Sequence, residues 1–175
     1  MEYPLIYDAA TSLAAILTAL PVAPAFPPSD LSDPSSAPGE AGSEYIAVRR
    51  TDLFREVRVL CLSGYEHLFQ LLPELSFFPA AIVCVGGGDF SDVNAYRELE
   101  LAIIVVDELR LVEDQAQASY ALLDKVSSAL TGDVPGVPLE LDEVQYFLKD
   151  FRSLELDNSH VAYVFTVNTM ASCQA

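Results

Sequence analysis

Positive charge is what this sequence has least of. Nine Lys and Arg stand against 26 Asp and Glu, a formal charge of −17, and the first lysine in the chain is Lys125. Duplex DNA is bound through cations that displace counterions from phosphate, so a surface of this sign repels it. It is equally unsuited to anionic lipid. Cysteine is scarce too. Cys61, Cys84 and Cys173 are odd in number and have no CxxC spacing, which excludes a disulfide framework or a zinc knuckle built on them. Cys61 and Cys84 fall inside apolar runs, where a thiol acts as a small hydrophobe. Long hydrophobic runs are missing as well: Leu13 to Leu20 is the apolar stretch nearest the N-terminus and is too short to cross a bilayer. Met1-Glu2-Tyr3-Pro4 lacks the basic start of a signal peptide, so a reducing cytoplasm is the expected setting.

What is present is apolar bulk. At 175 residues and 51% hydrophobic, the chain suits one domain with a real core. Leu5, Ile6, Ala9, Leu13, Ile16, Leu17 and Leu20 recur at helical spacing between Pro4 and Pro21, which predicts an amphipathic first helix. Pro21 to Ser43 is rich in Pro, Ser, Ala and Asp and reads as a long loop or arm. Strands are expected over Tyr45–Arg50, Arg55–Leu62 and Phe78–Val85, the last with both faces covered. A short helix is expected over Gly64–Leu72, with Tyr65, Leu68, Phe69 and Leu72 on one side. Arg97–Val106 alternates Leu99, Leu101, Ile103 and Val105 against Glu98, Glu100, Ala102, Ile104 and Val106. That strand begins wet and runs under cover. Glu113–Leu130 reads as a helix with Ala116, Tyr120, Leu123, Val126 and Leu130 inward, acids at its start and Gly132 beyond its end. Val144–Leu156 and Val161–Met170, joined through Asp157-Asn158-Ser159-His160, predict an antiparallel hairpin. The order implies a single α+β domain over residues 1–175, a mostly antiparallel (mixed) β-sheet packed by two main α-helices.

The stretch AIVCVGGGDFSD (81–92) resembles a phosphate loop only superficially. A Walker loop needs a lysine and a Ser or Thr behind its glycines, and a Rossmann loop must open a helix. Here Asp89 and Asp92 follow instead, and carboxylates repel an anion. Gly86-Gly87-Gly88 is therefore expected to end the strand and let the chain loop back through residues 86–95, a loop to be searched for assembly contacts. Asp89, Asp92 and Asn94 lack the spacing and terminal glutamate of an EF-hand. His67 and His160 have no nucleophile signature beside them. Glu98 and Glu100 form a carboxylate pair of a kind that so acidic a chain produces by chance. Arg49, Arg50, Arg55 and Arg58 form the one basic cluster and are expected to pair with acids. No catalytic, cofactor-binding or metal-binding residue emerges, and the chain is not expected to be an enzyme.

Taken as a whole, the pattern resembles a known family. The first helix, PAAIVCV (79–85), RELELAIIVV (97–106), ASYALLDKVSSALTG (118–132) and VAYVFTVNT (161–169) together are similar to the tail terminator (tail completion) proteins of long-tailed phages, including the Mu-like prophage group. The likeness covers the first helix and most of the chain from Phe78 onward. The Pro-rich segment and the helix near Gly64 depart from it. The resemblance implies a structural virion protein, assembled in the host cytoplasm as a homo-hexameric ring. It would cap the tail tube, join it to a neck or head-completion protein, and let DNA pass through the lumen without specific binding. Another neck or head–tail connector protein is the nearest alternative. An acidic protein-binding module such as a DNA mimic is the alternative of another class.

Overall fold

The computed structural model describes residues 6–20, 53–61, 66–91, 96–109, 111, 113–131, 134, 137–142 and 144–172. The expected strand Tyr45–Arg50 and the arm Pro21–Ser43 lie outside these residues. Helix α1 spans Ile6–Ala19 and strand β1 Glu56–Val59, followed by α2 (Glu66–Leu71) and a 3-10 turn (Leu72–Glu74). Strands β2 (Ala80–Ser91) and β3 (Tyr96–Glu108) come next, then helix α3 (Glu113–Thr131). Three strands close the order: β4 (Leu139–Leu141), β5 (Val144–Glu155) and β6 (His160–Ser172). The fold is α+β, and the described residues form three helices and one six-stranded mixed sheet curved into a half-barrel. The strand order is β1-β2-β3-β6-β5-β4. β1 runs parallel to β2, and every other neighbouring pair is antiparallel.

Period-two patterning separates the two faces. Ala81, Val83, Leu101, Ile103, Val105, Phe165 and Val167 point to one side. There Leu13 and Leu17 of α1 and Leu123, Val126 and Leu130 of α3 seal the main core. Helix α1 lies over β1 and β2, and α3 over β5. The buried stripe of α1 is Ala9, Ala10, Leu13, Ala14 and Leu17, narrower than expected, since Ile6 is exposed. On α3, Leu122 and Ser119 are buried where Tyr120 was expected. Tyr120 is 65% exposed, because the sheet meets the stripe one residue round from the one the apolar letters suggest. Leu68 packs under α2 as expected, whereas Phe69 is exposed.

Among the described residues, the second face is covered at one end only. Ile82, Cys84, Ile104, Val106 and Val164 lie beneath Leu68 and Leu75. The expected covering of β2 on both faces holds there: Ala80 to Cys84 are all buried. The strand starts after Pro79, which has no N–H to give a ladder. Three polar contacts fix the elements. Ser119 Oγ donates to Asp107 Oδ2 at 3.2 Å, pinning α3 to β3. Tyr146 Oη donates to the Ala9 carbonyl at 3.2 Å, tying β5 to α1. The Leu53 amide donates to the Leu20 carbonyl at 2.7 Å, which holds the end of α1 beside the approach to β1.

Candidate assembly surface

The triple glycine does not end β2. The strand runs on to Ser91, with a bulge between Val85 and Gly87. Gly87 pairs with Glu100, Gly88 with Leu99 and Asp89 with Glu98. The expected end of the strand at Val85 and loop back over 86–95 is therefore corrected: β2 runs to Ser91 and β3 begins at Tyr96, while residues 92–95, Asp92 and Asn94 among them, lie outside the described residues. The glycine requirement is packing at one position. A Cβ on Gly88 would sit 2.7 Å from Leu99 Cδ2 and 3.1 Å from the Glu98 carbonyl. Leu99, buried in the main core, fills the space a side chain would take. At Gly87 a Cβ would meet nothing within 4 Å.

The other singled-out residues scatter. His67 is half-buried on α2. His160 opens β6, where its Nδ1 lies 3.0 Å from Asp157 Oδ1 and its ring sits 4.7 Å from that of Phe78. Asp157 Oδ1 also accepts the amides of Ser159 and His160, each at 2.7 Å. Those bonds, the Ser159 amide first, hold its carboxyl below the ordinary value of 3.8. This is a carboxylate organising a hairpin turn. Burial pushes the Cys84 thiol up to about 11, with Cys61 adding to the shift, which leaves it a packing residue. Burial likewise pushes the Tyr146 hydroxyl up to about 12, against a hydrogen bond from Ser12 and with Asp142 adding. Among the described residues no cluster of three or more His, Cys, Asp or Glu is placed to hold a metal. No described helix is long and apolar enough to cross a membrane. A groove of about 350 Å³ between the end of α3 and β4 is lined by Val134, Val137, Leu139 and Glu140 among others, and Glu140 is the one carboxylate among its described lining residues.

What the geometry does offer, among the described residues, is a partly uncovered sheet with open edges. The register puts Glu98 and Glu100 on the second face, beyond the cover of α2. Both are exposed, as sequence alternation predicts. Asp150 and Arg152 of β5 share that face, while Phe151 points to the other side, 5.4 Å from Phe165 and 53% exposed. β1 covers only Ala80–Val83 of β2, and β4 only Val144–Tyr146 of β5. Among the described residues, the outer edges of 84–91 and 147–155 therefore carry no strand. Arg58 does pair with acids, as expected of the basic cluster: it meets Glu56, and its Nη2 donates to the Glu74 carbonyl at 3.2 Å. Arg55 is exposed, and Arg49 and Arg50 lie outside the described residues. Sequence reading missed β4 and the open flank of β5. The available signal was Lys149, Asp150 and Arg152 interleaved with Phe147 and Phe151, a charged-and-aromatic mixture typical of an edge strand. The chain matches no protein-family model and no curated protein.

Proposed function

We propose that this chain is a non-enzymatic subunit of a phage-like tail, its terminator, acting as a ring that caps the tail tube and meets the neck. The observation that carries the reading is a sheet whose two flanks carry no further strand among the described residues, a form that suits a subunit completed by its neighbours. The segments that resemble the terminator family form the adjacent strands β2, β3 and β6 and the helix α3. A sheet face bearing Glu98 and Glu100, both exposed among the described residues, suits a channel through which DNA slides without sticking. The test is to add the purified chain to tail tubes that lack a terminator and image them by electron microscopy. Capped ends are expected; bare ends beside well-formed oligomers would overturn the reading. The charge of −17 favours one rival, an acidic module that mimics DNA for a basic partner. Size-exclusion with light scattering separates the two, since a lasting monomer that captures a basic nuclease is the mimic's signature.

A further inference from the structure

The two flanks that carry no further strand among the described residues are complementary to each other. β5 runs in the direction of β3, whereas β1, β2 and β4 all run the opposite way. β4 occupies the outer column beside the Val144–Tyr146 end of β5. β1 occupies the outer column beside the Ala80–Val83 end of β2. Traced across the ladder, these positions lie at opposite ends of the sheet. β4 is level with residues 97–99 of β3, and β1 with 103–106. A second copy set edge to edge in the same orientation would place its β1 in the gap beside β5, collinear with β4. The two short strands then form one interrupted strand between β5 of one copy and β2 of the next.

We infer that copies of this chain associate head to tail, with β1 of one copy pairing antiparallel with β5 of its neighbour. The favoured register sets Glu56 opposite Arg152, Val57 opposite Phe151 and Arg58 opposite Asp150. It keeps each residue on its own face of the sheet. On the second face Glu56 and Arg58 alternate in sign against Arg152 and Asp150, so each charge meets its opposite. On the helix face the exposed ring of Phe151 gains Val57. Pairing stops at the bulge between Leu148 and Asp150, short of β4, so the steps do not collide. On the other flank β4 comes beside Val85–Gly88 of the neighbour's β2. A contact of this kind joins unlike surfaces, and so builds a ring or an open filament, not a closed dimer. The inference stands on the sheet geometry and does not need the tail reading.

The test mixes two charge-reversed chains and reads association by sedimentation velocity, with no tail tube present. Glu56→Arg and Arg152→Glu should each weaken self-association by roughly tenfold, because a pair becomes a like-charge contact. Mixed in equal amounts they should recover assembly, since each supplies the flank the other has lost. A wild-type chain that stays monomeric at about 100 μM, above the range of a weak micromolar contact, overturns the pairing. So does association untouched by Glu56→Arg but lost in Arg152→Glu and restored by Asp150→Arg on the same chain, which would mark a two-fold β5–β5 dimer. Should Glu56→Arg fail to fold, the unaltered chain gives a second readout. Amide exchange over 56–59 and 150–154 should slow as concentration rises, and exchange independent of concentration there refutes the pairing. Assembly that recovers on mixing yet leaves tube ends bare would sink the tail reading alone.

Discussion

Gly88 and Gly87 are neighbours with opposite tolerances. At Gly88 a methyl group collides with the buried Leu99 side chain and with backbone. Gly88→Ala should therefore cost about 1–3 kcal/mol through overpacking. Gly87→Ala meets open space and should be neutral or stabilise by about 0.5–1 kcal/mol, as the unfolded chain loses freedom. Urea titration of the two variants checks the contrast, and equal effects would contradict the packing account. The two described cysteines divide in the same way: Cys61 is exposed and Cys84 buried. At neutral pH a maleimide should modify Cys61 within minutes and Cys84 only on unfolding, as peptide-level mass spectrometry would show. Burial favours the protonated thiol of Cys84, so its protection should persist up to about pH 11.

Single polar contacts set the positions of whole elements. Asp107 is 2% exposed and accepts from Ser119, which fixes the rotation of α3 on the sheet. Ser119→Ala removes that donor from a buried carboxyl group and should cost about 1–3 kcal/mol in chemical denaturation. A loss within error would show that apolar packing alone orients the helix. The β5–β6 hairpin depends on Asp157, whose carboxyl is held below its ordinary value. A depressed carboxyl stabilises the fold above its unfolded pKa, and that contribution is lost as pH falls through the folded value. Asp157→Asn should thus lower Tm near neutrality, and the gap from wild type should close with acidification below about pH 3.8. A gap independent of pH would mean that the amide bonds matter and the charge does not.

At the scale of the whole molecule, 17 uncompensated negative charges repel one another. Raising salt from about 20 to about 300 mM shortens the screening length severalfold and should raise Tm by a few degrees. The same charge predicts no retention of duplex DNA at about 150 mM salt in a mobility-shift assay. Retention there would conflict with an acidic channel face and with a phosphate-mimicking surface alike.

The sequence by itself determined the α+β class, the two main helices, the hairpin and the alternation that buries Leu99, Leu101, Ile103 and Val105. Each is written in local periodicity, which a single chain segment carries. It also placed Glu98 and Glu100 together on one sheet face, because residues two apart on a strand share a side. Tertiary structure decided the rest. Gly86 to Gly88 read as a stop because glycine favours turns, yet Leu99 on the neighbouring strand makes Gly88 a packing position, and pairing with β3 runs on to Ser91. Tyr120 read as inward because it is apolar, yet the contact of Ser119 with Asp107 turns it out. The open flanks of β2 and β5 could not be read at all, since an edge exists only once strand order is set, and strand order is a long-range pairing that no local pattern specifies.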